Sequence, residues 1–145
     1  MKIISVANRK GGVGKTTTTI NIATALSAIG RNVLVIDFDP QGNATTSMGI
    51  AKQKENYSSY DVLIGNCDVK EAVLHTDLPR FDMIPSSPDL AAAEIELVEV
   101  DKREFVLKKA LNSLEAVYDY VLIDCPPSLN LRSEERRVGK ECRSR

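Results

Sequence analysis

Short apolar runs recur along the chain, and each stops abruptly at polar residues. Ile3-Ile4-Ser5-Val6-Ala7 runs into Asn8-Arg9-Lys10, Val33-Leu34-Val35-Ile36 into Asp37, and Tyr120-Val121-Leu122-Ile123 into Asp124. Continuous, largely β-branched runs of this length predict strands buried on both faces of a parallel sheet. The segment from Thr16 to Ile29 has a different period. Ile20, Ala23 and Leu26, with Ile22, Ala25 and Ile29, fall at helical spacing, and Gly30 predicts a left-handed C-cap. A further strand is predicted over Arg80–Ile84, ending at Pro85-Ser86-Ser87-Pro88, with a helix from there to Leu97. A second helix begins near Asp101, where Glu104 completes a capping box, and carries Leu107, Leu111, Leu114 and Val117. Residues 50–80 are the least patterned; short helices are predicted at Ser59–Ile64 and Val69–Thr76, with breaks at Gly65-Asn66 and Pro79. Strands alternating with helices predict an α/β fold whose parallel sheet is flanked by helices.

The first strand and first helix are joined by Lys10-Gly11-Gly12-Val13-Gly14-Lys15-Thr16-Thr17. A strand, a glycine-rich turn and a helix N-terminus in that order make an anion site. Backbone N–H groups point inward at phosphate oxygens, and the helix dipole adds positive potential. Lys15 supplies charge for the β- and γ-phosphates, and the Thr16 hydroxyl can ligate Mg²⁺. These are the parts of a triphosphate loop with one departure: Arg9 stands where the usual pattern has its first glycine. Gly12-x-Gly14-x-x-Thr17 followed by Asp37 loosely mimics a dinucleotide fingerprint. That reading loses, because Thr17 replaces the third glycine and a lysine with two hydroxyls suits a triphosphate and Mg²⁺ better.

In a parallel sheet the carboxyl ends of the strands share one edge, where ligands of α/β folds bind. The phosphate loop, Asp37 with Asp39, and Asp124 are therefore expected together there. Four apolar residues followed by Asp124 is the Walker-B pattern, a carboxylate that can hold Mg²⁺ through water opposite Thr16. Asp37-Phe38-Asp39-Pro40-Gln41-Gly42-Asn43 is at the same time a loop that Pro40 and Gly42 favour on turn chemistry alone.

Composition narrows the class without choosing a function. The 145 residues are 43% hydrophobic and 27% charged, as in ordinary soluble domains, with a net charge of −1 that gives no push toward nucleic acid. The charge is uneven: residues 132–145 carry six basic and three acidic side chains, leaving the body at −4. Cys67, Cys125 and Cys142 are odd in number and far apart, which argues against a disulfide framework or zinc site and for reduced thiols. Met1-Lys2 leads straight into a strand with no signal peptide, and no apolar run approaches membrane-spanning length, so a cytoplasmic location is expected. His75, the one histidine, is assigned no role.

The octapeptide resembles the deviant phosphate loop of the ParA/MinD family of ATPases, in which a second, signature lysine (here Lys10) reaches across an ATP-sandwich homodimer to the partner's nucleotide. By that resemblance Asp37-Phe38-Asp39-Pro40-Gln41-Gly42-Asn43-Ala44-Thr45 is switch I. Asp37 then lies near the metal and Asp39 positions the attacking water. Asp124-Cys125-Pro126-Pro127-Ser128 is similar to switch II. The match is nearest to the ParA/Soj branch, on Asp39-Pro40-Gln41-Gly42-Asn43 and on Pro85-Ser86-Ser87-Pro88-Asp89-Leu90-Ala91, and it runs from Met1 to about Leu131. It implies a slow ATPase with Lys10, Lys15 and Asp39 in catalysis, residues Lys10 to Thr17 on ATP, and Thr16, Asp37 and Asp124 around Mg²⁺. It also implies non-specific DNA binding by the dimer, a ParB-type centromere-binding partner and nucleoid association. The membrane-linked MinD branch needs a C-terminal amphipathic helix that is not found here. The resemblance further implies that residues 1–131 are the N-terminal part of a longer domain, with the adenine-contacting segment and basic DNA surface absent. A non-catalytic fragment with weak phosphate binding is the competing expectation. Residues 132–145 have one bulky apolar residue, Val138, and read as a charged solvated tail resembling a translated cloning adapter.

Overall fold

The computed structural model describes residues 1–7, 13–50, 57–90 and 108–125. Five strands form one sheet: β1 (Lys2–Ala7), β2 (Val33–Asp37), β3 (Leu74–His75), β4 (Phe81–Ile84) and β5 (Tyr120–Cys125), in the order β1-β5-β2-β4-β3. β1 with β5, β5 with β2 and β2 with β4 are parallel; only the short β3 is antiparallel to β4. β1 therefore lies at one margin of the described sheet, with Ile3 still 40% exposed.

The uninterrupted apolar runs make sense once both faces are covered. Leu34, Ile36, Val121, Ile123 and Ile84 share one core with Val62 and Leu63 of α3 (Ser59–Leu63), with Val69 and Ala72 of the 3₁₀ turn Val69–Ala72, and with Leu111 and Leu114. The alternate residues Val33, Val35, Phe81, Met83 and Leu122 pack on the opposite side against α1 (Val13–Ala28), chiefly at Ala23, Ile20 and Leu26. Helical turns cover both sides of a mostly parallel sheet, which is the predicted α/β class.

α1 opens at Val13, one turn earlier than the apolar spacing suggests. Its end is as expected: Gly30 sits at φ 90°, the Gly30 N–H donates to Ser27 O and the Arg31 N–H to Leu26 O, the paired bonds of a Schellman cap. The helix is less apolar in use than in sequence. Thr19, Ala23 and Ser27 form its buried line, while Ile29 is exposed. Ser27 tolerates burial because its hydroxyl donates back to Thr24 O at 2.9 Å.

Two predicted helices are corrected. The helix expected over Val69–Thr76 is a 3₁₀ turn that ends at Ala72 and gives way to β3. Pairing with β4 wins: Leu74 lies opposite Met83, His75 opposite Asp82, and the Thr76 N–H and hydroxyl both donate to Phe81 O. The helix carrying Leu107 to Val117 is helical over 108–112 and then breaks into turns, so Leu114 is buried but Val117 is 47% exposed. Its start at Asp101 and Glu104, and the helix expected to run to Leu97, lie outside the described residues. One helix was not expected at all: α2 (Asn43–Ser47) follows directly on Gly42 at φ 67°.

Candidate active site

The register of three parallel strands brings the candidate carboxylates together. Val6 of β1 and Asp37 of β2 are both in register with Asp124 of β5, so the carboxyl ends of these strands form one row. Asp37 and Asp124 are direct neighbours on adjacent strands, which run about 4.8 Å apart. Strand alternation puts both on the α1 side, the side of Val35 and Leu122. The chain returns to that edge at Val13, where α1 begins.

Both carboxylates are fully buried. The Asp37 Oδ2 accepts from the Thr45 N–H at 2.9 Å and the Thr45 hydroxyl at 2.7 Å, and Oδ1 accepts from the Asp39 N–H at 3.0 Å. Burial nevertheless raises its pKa from 3.8 to about 6, outweighing those hydrogen bonds, with the neighbouring Asp124 adding to the rise. The folded protein thus holds the Asp37 proton more tightly than the unfolded chain does. The stability this contributes is complete below pH 3.8 and is lost as pH rises through about 6. At about 1.4 kcal/mol per pKa unit, it is on the order of 2–3 kcal/mol. Urea unfolding of the ligand-free protein should show this fall in stability across that window. Asp37→Asn should flatten it, and equal slopes in both proteins would refute the assignment.

Asp39 stands two residues beyond the strand, half-buried, its Oδ1 accepting from the Gln41 N–H at 3.0 Å. The Asp37–Asp39 segment is held by three hydroxyls to which sequence reasoning gave no role. Thr45 binds the Asp37 carboxylate, Ser59 Oγ donates to Asp37 O at 2.6 Å, and Ser86 Oγ donates to Asp39 O. Nothing in their spacing marks them, because 22 and 47 residues separate the last two from their acceptors. Lys10, Gly11 and Gly12 lie outside the described residues. Val13, Gly14, Lys15, Thr16 and Thr17 form the start of α1 by their backbone.

Mg²⁺ suits this donor set. Two buried carboxylates side by side repel, and a divalent cation between them and a phosphate removes that cost. Three hydrogen bonds already occupy Asp37, which leaves it better suited to a metal-bound water than to full ligation. Among the described residues no group of three or more His, Cys, Asp and Glu could hold a metal ion. Mg²⁺ needs no such cage, since it takes one or two carboxylates and completes its shell with water and phosphate oxygens.

Comparison with known proteins identifies the family. Residues 1–136 match the family model described as an AAA domain (AAA_31). The chain is 50% identical over 133 residues to the chromosome partitioning protein ParA of Caulobacter vibrioides, covering 90% of this chain and 50% of the relative. It is 49% identical over 130 residues to the sporulation initiation inhibitor protein Soj of Bacillus subtilis, covering 90% and 51%. It superposes with a TM-score of 0.82 on a crystal structure from Mycobacterium smegmatis, described as cobyrinic acid a,c-diamide synthase with bound ATP analogue and magnesium. That pair is 44% identical, over 90% of this chain and 53% of that one. The chain spans about half the length of the curated relatives it matches. With its phosphate-loop sequence, its row of strand-end aspartates and these relatives, the chain belongs to the ParA/Soj-type group of P-loop ATPases.

Proposed function

We propose that this chain carries the ATP- and Mg²⁺-binding part of a slow partitioning switch. The observation that supports it most is the buried Asp37–Asp124 pair in register at the edge where the phosphate loop meets α1. In this reading Lys15 and the backbone of residues 11–17 bind the triphosphate, while Thr16, Asp37 and Asp124 surround Mg²⁺. When bound, Mg²⁺ neutralises charge on the phosphates. Asp39 orients the attacking water from the loop beyond β2, and Lys10 reaches the nucleotide of a second copy in an ATP-dependent homodimer.

The proposal extends to chromosome or plasmid partitioning, supported by relatives named chromosome partitioning protein ParA; it further assigns non-specific DNA and a ParB-type protein as partners and a nucleoid-associated, cytoplasmic location. No helix of the described residues is long and apolar enough to cross a membrane. Residues 1–131 are assigned to the ATPase domain and 132–145 to a tail outside it.

A second reading has two observations in its favour. The chain spans about half the length of its curated relatives, and the phosphate-loop strand lies at a margin of the described sheet; a non-catalytic fragment with weak phosphate binding is the alternative. Calorimetric titration of the chain with Mg-ATP separates the two. Saturable binding that EDTA abolishes is expected; no binding of either Mg-ATP or Mg-ADP would leave the fragment reading.

A further inference from the structure

We propose that Ser86 is a positioning residue for Asp39, an assignment that rests on the proposed role of Asp39 in ATP hydrolysis. Ser86 stands two residues after the end of β4, and both of its donors are directed at the segment after β2. Its hydroxyl donates to Asp39 O, and its N–H donates to Thr45 Oγ1 at 3.0 Å. Thr45 in turn holds the Asp37 carboxylate. On the other side of the same segment, Pro85 O accepts from the Ser59 N–H at 2.8 Å, and the Ser59 hydroxyl holds Asp37 O.

The Pro85-Ser86 segment therefore closes one buried chain of bonds around both ends of Asp37-Phe38-Asp39. Thr45 and Ser59 are fully buried and Ser86 is 5% exposed, so water cannot readily replace a missing donor. The three hydroxyls divide the work. Thr45 and Ser59 act on Asp37, at the strand end, where the ladder to β5 already restrains the backbone. Ser86 acts on Asp39, beyond the last ladder pair, where its bond adds a tertiary tether to the local one from the Gly42 N–H at 2.8 Å on the carbonyl of the residue proposed to orient water. A loop carboxylate contributes to orientation only while its backbone stays in place.

Ser86→Ala removes that hydroxyl donor and keeps the N–H to Thr45, with the local bond from the Gly42 N–H to Asp39 O left in place. Amide hydrogen exchange of the ligand-free chain, followed by mass spectrometry, should rise at least tenfold in peptides spanning residues 38–46. Peptides from β5 and the middle of α1 should not change, and Ser86→Thr, which retains the hydroxyl, should restore protection. Turnover of Mg-ATP should fall about tenfold in Ser86→Ala with affinity held within about twofold, and Ser86→Ala should add nothing in an Asp39→Ala background. Unchanged exchange in 38–46, or an equal rise throughout the protein, would overturn the tether. Additive losses in the double variant would overturn its action through Asp39. The exchange measurement needs no nucleotide, so a wild-type chain that fails to bind Mg-ATP would count against the ATPase reading and leave the tether tested separately.

Discussion

Lys15→Ala should lower the affinity for Mg-ATP by at least a hundredfold. α1 starts at Val13 and so has Lys15 in its first turn, on the edge where β1, β5 and β2 end. Backbone N–H groups and the helix dipole alone amount to partial charges at that turn. A lysine adds a full positive charge next to a group bearing several negative ones, in a site walled by buried strands. Losing one such preorganised donor typically costs about 3–4 kcal/mol, and each 1.4 kcal/mol is tenfold in affinity. Calorimetry with Mg-ATP on both proteins, after circular dichroism shows equal folding, measures it. Lys10→Ala provides the contrast: acting on a second copy, it should spare monomer affinity and prevent ATP-dependent dimerisation in a chain extended to the length of its relatives. Affinity for Mg-ATP within threefold of wild type in Lys15→Ala would remove the phosphate-loop assignment.

Asp39→Ala and Asp124→Asn should fail in opposite ways. Asp124 is fully buried beside Asp37, so its charge is felt at short range and low dielectric by any cation at that edge. Removing the charge while keeping the volume should weaken Mg²⁺-dependent ATP binding tenfold or more and leave binding without Mg²⁺ unchanged. Asp39 is half-buried on the loop, two residues past the ladder. Its loss should leave Mg-ATP affinity within about threefold and reduce turnover about a hundredfold, the range lost when a positioned proton-accepting group is removed. Both comparisons belong in a chain extended to the length of its relatives, with single-turnover hydrolysis and equilibrium binding measured on the same samples. Equal loss of affinity in the two variants would abolish the separate roles.

Much of the architecture was legible because it was written in local terms. β1 matches its predicted span, and β2, β4 and β5 lie within one or two residues of theirs, since an apolar run buried on two faces has few alternatives. The left-handed cap predicted at Gly30 is likewise local chemistry; the capping box of α3, where the Ser58 N–H donates to Asp61 Oδ2 at 2.8 Å, is equally local but was not among the predicted caps. The candidate aspartates were visible for the same reason: each ends an apolar run, and parallel strands place their ends on one edge.

What lay beyond the sequence depended on partners distant along the chain. β3 overrode a helical pattern because β4 offered a ladder across a hairpin whose turn takes Arg80 to φ 60°. Val117 fits the helical apolar spacing yet is exposed, because the chain leaves the helix after 112. The shift of Asp37 to about 6 follows from burial between β5 and α2, which no count of nearby charges would supply. The hydroxyls of Ser59 and Ser86 acquired partners only when α3 and the segment after β4 closed over the end of β2. By itself the sequence determined the main parallel strands, α1 and the strand-end carboxylates of the edge, since apolar period, caps and strand-end charges are properties of neighbouring residues. Which carboxylate is desolvated, and which hydroxyls hold it, was decided by tertiary structure alone, since desolvation and long-range hydrogen bonds exist only once the layers pack.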